Sequence, residues 1–353
     1  MTDTLTPPLL DGHNDVLLKL MGHARGREAQ DFIRGCGGHV DLPRARKGGF
    51  GGGFFAIYVP SPDDGTDHFK AMSGARYDLA LPAAIGQDEA LKVVMRQAAI
   101  LAALERECAV EICTTAGQIR SCLNEGRMAA VMHMEGAEAI DADFDALEIL
   151  YRAGLRSLGP VWSRPTIFGH GVPFRFPSGP DTGEGLTGAG KDLVRQCNRM
   201  GIMIDLSHLN EAGFRDVAAI SDAPLVATHS NAHAICPTAR NLTDWQLDAI
   251  ADSDGMVGIN FATAFLRPDG QMRADTPLEV ILRHLDHLIG RLGEDRVGFG
   301  SDFDGAMIPE TIGDVAGLPA LRAALIAHGV DRRLMKKLFH DNWLRVLELT
   351  WGN

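Results

Sequence analysis

Residues 202–229 read IMIDLSHLNEAGFRDVAAISDAPLVATH. Two apolar runs, 202–206 and 224–228, flank a helical stretch over Asn210–Ile220. Each run is short, nearly continuous and apolar, as expected of a parallel strand covered on both faces. A histidine follows each run: His208 after the first, His229 after the second. The unit is therefore one strand–helix–strand step, and neighbouring strands present neighbouring imidazoles.

The same grammar repeats in both directions. Further apolar runs occupy 8–12, 51–59, 128–134, 155–161, 255–260 and 296–301, which makes eight in all. Helical patterns lie between them. Asp88–Glu107 carries Leu91, Met95, Ala98 and Leu101 at helical spacing, and Phe144–Arg152 carries Leu147, Ile149 and Leu150. Helices are also expected over Lys191–Met200, Thr243–Ala251, Pro277–Leu292 and Leu318–His328. Thr243 reads as an N-cap, Thr276-Pro277 puts a proline at a first helical position, and Gly154, Gly201 and Gly293 stand where helices end. Strand alternating with helix eight times predicts an α/β fold, a (β/α)8 TIM barrel forming a single domain over 1–353. Asp331–Leu349 is expected to add a C-terminal helix, with Leu334, Leu338, Trp343 and Leu347 inward. Long loops at 61–87 and 163–190 follow the second and fourth runs, on the face where such barrels carry their sites.

The 353 residues are 45% hydrophobic, ample for one large core, and the net charge of −12 argues against nucleic acid as a partner. The opening MTDTLTPPLLDG lacks a basic, apolar leader, and no run is long enough to span a membrane. A cytoplasmic chain without a membrane anchor is expected, with its six cysteines reduced.

Metal-ligand residues gather at the ends of the runs. His13 and Asp15 stand two apart in LLDGHNDV, on one face of an extended backbone. Glu135 ends AAVMHME, His208 and His229 end the fifth and sixth runs, and Asp302 ends VGFGSD. Six such groups exceed what one tetrahedral ion needs. The economical arrangement is two ions sharing one carboxylate, and strand order makes Glu135 the bridge. Paired ions would ionise a water for attack on a carbonyl, with Asp302 placed to move its proton. The donor set suits zinc, and also manganese, cobalt or iron.

Five blocks carry a family resemblance: DGHNDV, MHMEGAE, DLSH, THSNAHAICPTARNLTD and GFGSDFDG. They occur in order along nearly the whole chain, which resembles the membrane dipeptidases of renal dipeptidase type, peptidase family M19. The resemblance implies an amidohydrolase-like barrel, two zinc ions and hydrolysis of dipeptides, with D-residues accepted at the C-terminal position. It implies that His13, Asp15 and Glu135 hold one ion and that Glu135, His208 and His229 hold the other. It casts Asp302 as general acid/base and Arg240 as the grip on the substrate carboxylate. It is compatible with a homodimer. The absence of leader and anchor signals is similar to the soluble bacterial members.

Two positions depart from the family. A histidine that contacts the reacting carbonyl in animal members is replaced by Trp162, and His170 in the following loop is a candidate substitute. A tyrosine near the substrate falls at Phe265, which lacks the hydroxyl. These departures keep other small amides open as substrates, such as N-acyl amino acids or β-lactams. A metal-dependent isomerase on the same barrel and a binding protein built on a dead enzyme are the other readings, but every ligand is present.

Other signals carry less. Gly183, Gly185 and Gly188 spell a dinucleotide fingerprint without its strand–turn–helix context. GGFGGG at 48–53 reads as close backbone packing. His133, one layer below Glu135, reads as a hydrogen-bonded interior histidine. His284, Asp286 and His287 are expected on a solvated helix face.

Overall fold

Eight parallel strands are present, in the order the sequence predicts. They are β1 (Leu9–Asn14), β2 (Phe50–Tyr58), β3 (Ala129–Glu135), β4 (Leu155–Gly159), β5 (Met203–Ile204), β6 (Val226–Ala227), β7 (Met256–Ile259) and β8 (Val297–Phe299). This is a computed structural model that describes residues 7–63, 65 and 67–352. The opening MTDTLT, on which the expectation of no leader partly rests, lies outside the described residues. Strands β1 to β5 form one continuous arc and β6 to β8 another. A single bridge joins the arcs at each seam, Asp205 to Val226 on one side and Asn14 to Phe303 on the other. The ring is thus closed in the manner of a (β/α)8 barrel.

The strands read as apolar runs because both of their faces are covered. Every residue of β1 and β3 is buried. Outside the ring lie helices Gln87–Arg106, Asp145–Arg152, Gly188–Met200, Glu211–Ile220, Asp244–Asp252, Glu279–Leu292 and Leu318–Ala327. Local chemistry sets their ends. Asn210 caps Glu211–Ile220 by accepting from Gly213 N at 2.9 Å. Gly201 closes Gly188–Met200 at φ +65°, where a side chain would be strained. Pro277 does not take the first helical position as expected: the helix starts at Glu279, and Thr276 donates its hydroxyl back to Arg273 O at 2.6 Å.

The C-terminal segment runs through Arg332–Lys336, a wider turn at Lys337–Asp341 and the helix Asn342–Trp351. It closes the bottom of the barrel. Trp343 is fully buried there and donates its Nε1–H to Phe299 O at 3.2 Å. Gly12, Gly258 and Gly298 make room for its indole, since a Cβ on any of them would collide with the ring.

At the opposite end the two long loops are stitched together. Tyr77–Asp78 pairs antiparallel with Arg175–Phe176. Arg164 is buried and donates to Glu138 Oε1 from Nε at 3.0 Å, to Ser61 Oγ at 2.8 Å and to Val59 O at 2.8 Å. Two further features differ from the sequence reading. A short strand at Glu111–Ile112 pairs with the start of β3. His284 is buried, not solvated: it accepts from Ala232 N at 3.1 Å and donates to Leu266 O at 2.9 Å. Its helix faces the barrel with this residue, whereas Asp286 stays exposed in an ion pair with His328. Among the described residues all six cysteines are free, and no helix is long and apolar enough to cross a membrane.

Candidate active site

The strand-end residues converge at the top of the barrel. His13 sits inside β1 and is fully buried. Asp15 follows at the head of helix Val16–Met21 but makes no capping bond. Its Oδ2 turns instead to His13 Nε2 at 3.4 Å. Glu135, the last residue of β3, points Oε1 at three imidazole nitrogens: His208 Nε2 at 3.0 Å, His229 Nε2 at 3.3 Å and His13 Nε2 at 3.7 Å. The facing Nε2 atoms of His208 and His229 are 3.2 Å apart. Donor atoms of His13, Asp15 and Asp302 also lie within 4.8 Å of one another, as do those of Glu135, His208 and His229.

This arrangement asks for positive charge. Both ring nitrogens of His13 are buried without a hydrogen-bond partner. Burial works against its protonated form, but the Glu135 and Asp15 carboxylates outweigh that and push it up to about 10. His208 and His229 are held well below the usual histidine range, first by burial and then by neighbouring cations. Neutral imidazoles and clustered carboxylates are what divalent ions bind. The residues present fit a metal centre, and Glu135, within 3.7 Å of His13 Nε2, stands between the two groups.

Hydrogen bonds fix several of these groups from behind. Ser163 Oγ meets His208 Nδ1 at 2.8 Å, and Thr228 Oγ1 meets His229 Nδ1 at 2.8 Å. Asp302 Oδ2 accepts from Asn260 Nδ2 at 2.9 Å, and burial raises its carboxyl above the ordinary range. His208 and Asp302 hold φ at 68° and 61°, a conformation that costs energy and is typical of functional positions. Gly305 leaves no room for a side chain: a Cβ there would strike Asp15 Oδ2 and Asp302 Oδ1. Below the cluster His133 is hydrogen-bonded to Ser157 Oγ at 2.8 Å, and burial lowers it to about 3.

A cavity of about 770 Å³ opens over the cluster. Asp15, Glu135, His208 and Asp302 form its floor, and Tyr58, Trp162, Phe174 and Phe265 give it an apolar wall. The Trp162 ring lies 5.7 Å from that of His208, and Phe265 stacks on Phe174 at 5.9 Å. Loop 61–87 supplies another wall, including His68, Phe69 and Met72. His170 is half-buried and does not line the cavity; its carbonyl accepts from Asn210 N at 3.3 Å. Arg240 is buried behind the floor, bonded to Ser230 Oγ and His229 O at 2.9 Å each, with its Nε–H unpartnered. Sequence reading missed Ser163, Thr228 and Asn260. Thr228 lay inside a quoted block, but its position on a strand gave no sign of where its hydroxyl points.

Fold and site together define a metal-dependent hydrolase on a (β/α)8 barrel. The family model "Membrane dipeptidase (Peptidase family M19)" matches residues 4–350, and the chain belongs to that family. It is a metal-dependent dipeptidase. A metallopeptidase from Rhodobacter sphaeroides, liganded with a phosphinate mimic of the dipeptide L-Ala-D-Ala, is 58% identical; the match covers 98% of this chain and 100% of that one, with a TM-score of 0.96. An uncharacterized protein in the pqqA 5'region of Klebsiella pneumoniae is 50% identical over 74% of this chain and 97% of its own length. Dipeptidase verJ of Clonostachys rogersoniana is 31% identical over 97% of this chain and 84% of its own.

Proposed function

We propose that the enzyme cleaves dipeptides at a centre of two zinc ions and accepts a D-residue at the C-terminal position. The observation that carries the two-ion reading is Glu135 Oε1, which stands within 3.7 Å of the Nε2 atoms of His13, His208 and His229. His13, Asp15 and Glu135 would hold one ion, and Glu135, His208 and His229 the other. Such ions, when bound, lower the pKa of water to near neutrality and polarise a carbonyl oxygen.

The chain's own residues supply the rest. Asp302, with its carboxyl raised by burial, takes a proton from the attacking water and returns it to the leaving amine. Asn260 holds that carboxylate in line through Oδ2. Arg240, with a free Nε–H, holds the substrate's carboxylate from beyond Phe265, whose ring centre is 5.7 Å from the guanidinium carbon. Trp162 and Phe265 enclose the side chains and keep water out, and His170 acts through its backbone bond to Asn210. The L-Ala-D-Ala mimic bound by the Rhodobacter relative supports the stereochemistry. The resemblance alone supports a homodimer.

The test is metal analysis of purified enzyme beside a library of L,L- and L,D-dipeptides, N-acyl amino acids and a β-lactam. Two zinc ions per chain and a preference for L,D-dipeptides are expected. One ion per chain, or faster turnover of acyl amino acids, would overturn the reading.

A further inference from the structure

At each seam of the barrel a buried aspartate reaches across to the neighbouring strand's end. Beyond β5, Asp205 accepts from Thr228 twice, from its N–H on Oδ1 at 2.8 Å and from its hydroxyl on Oδ2 at 2.5 Å. In β1, Asp11 accepts from Ser301 in the same way, from N–H on Oδ1 at 2.7 Å and from the hydroxyl on Oδ2 at 2.8 Å. All four residues are buried. Thr228 immediately precedes His229, and Ser301 immediately precedes Asp302. These are also the two places where a single bridge closes the ring.

We propose that the two carboxylate–hydroxyl clamps are positioning devices, through which closure of the barrel sets His229 for metal and Asp302 for proton transfer. The proposal rests on the metal reading above. The proton count at Thr228 makes the first half specific. Its hydroxyl has one proton, directed at Asp205 Oδ2. Its oxygen therefore accepts from His229 Nδ1, 2.8 Å away. His229 is thereby protonated on Nδ1 and offers the Nε2 lone pair to the cluster. Asp205 Oδ1 also accepts from Ser207 N at 3.0 Å, and Ser207 Oγ in turn accepts from His229 N at 3.1 Å, so backbone and ring are fixed together. His208 differs: Ser163 Oγ meets its Nδ1, and among the described residues no carboxylate bonds to that hydroxyl.

At the other seam Ser301 holds a turn rather than a ring. Its Oγ accepts from Phe303 N at 3.1 Å, and Asp302 N donates to His13 O at 3.0 Å. The residue between them, Asp302, keeps its positive φ because both neighbours are tied to β1. Asp11 thus anchors the acid/base, while Asp205 anchors a ligand.

The test compares Thr228→Val, which keeps shape and loses the hydroxyl, with Thr228→Ser, which keeps the hydroxyl, and Ser301→Ala with Ser301→Thr. Metal affinity is read by chelator competition, the His229 tautomer by 15N NMR of the chelated protein, and kcat and KM on the reloaded enzyme. Thr228→Val should bind metal about 10–100-fold more weakly and lose the fixed Nδ1–H tautomer, while Thr228→Ser stays near wild type. Ser301→Ala should retain metal affinity and lose about tenfold in kcat at unchanged KM, with Ser301→Thr partly restoring it. A Thr228→Val protein that melts earlier but keeps wild-type metal affinity and tautomer would show a merely structural clamp and overturn the proposal. So would a Ser301→Ala enzyme with unchanged kcat. If wild-type protein binds no metal, the functional reading fails instead, and the tautomer comparison alone still decides the Thr228 clamp.

Discussion

The imidazole rings of His13 and His229 stack with centroids 3.8 Å apart and planes inclined by 25°. They come from β1 and β6, three strands apart around the ring, so the stack measures how tightly the interior draws the site together. Two imidazolium ions could not share that spacing without strong repulsion. Burial keeps His229 neutral while the carboxylates favour charge on His13. A bound cation would resolve the conflict by taking the place of that proton.

In the proposed two-ion centre Glu135 belongs to both sets of ligands. Glu135→Ala should therefore weaken both metal sites, whereas His208→Ala should weaken one. Metal-to-protein ratios after gel filtration distinguish them; equal retention in both variants would refute a shared carboxylate.

Asp302→Asn keeps the bond to Asn260 in shape but removes the exchangeable carboxyl proton. We expect bound metal and KM close to wild type and a kcat lower by roughly 10²–10⁴-fold. Full turnover would remove Asp302 from proton transfer.

Gly305 tolerates no side chain, because a Cβ would strike the carboxylates of Asp15 and Asp302 together. Gly305→Ala should spread these groups, costing both metal affinity and at least tenfold in kcat/KM, with about 1–3 kcal/mol of overpacking strain. An alanine variant with normal metal content and rate would mean that the two carboxylates move freely.

His284 gives a pH signature away from the site. Burial lowers it from 6.5 to about 4. Between those values the unfolded chain binds a proton that the folded one refuses, so stability rises with pH across the window. The contribution is complete above 6.5, lost progressively as pH falls to 4, and worth up to about 3 kcal/mol. Urea unfolding of wild type and His284→Gln at pH 7.5 and pH 5 checks this. The wild type should lose more stability than the variant; parallel losses would acquit His284.

The strands and the clustered strand-end residues were legible because each is marked locally. A run such as IMIDL needs cover on both faces, and a histidine after it faces the mouth. Thr228 and Ser301 were not legible in that way. Their partners, Asp205 and Asp11, lie 23 and 290 residues away in sequence, and only the closed ring brings them within reach. His284 was misread because a polar residue on a helix normally faces water. Here Ala232 N and Leu266 O supply the bonds that make burial affordable. The loops were located by length, but their pairing at Tyr77–Asp78 and Arg175–Phe176 had no signal in composition.

Trp343 carries a consequence for biosynthesis. The indole that seats against Gly12, Gly258 and Gly298 leaves the ribosome after all eight strands have emerged. Until it arrives, the nascent sheet lacks its stopper, and three strands expose bare backbone around a vacant slot. The growing polypeptide should thus stay protease-sensitive and dependent on chaperones until Trp343 has emerged. Protease resistance in a chain arrested before Trp343 would disprove that dependence.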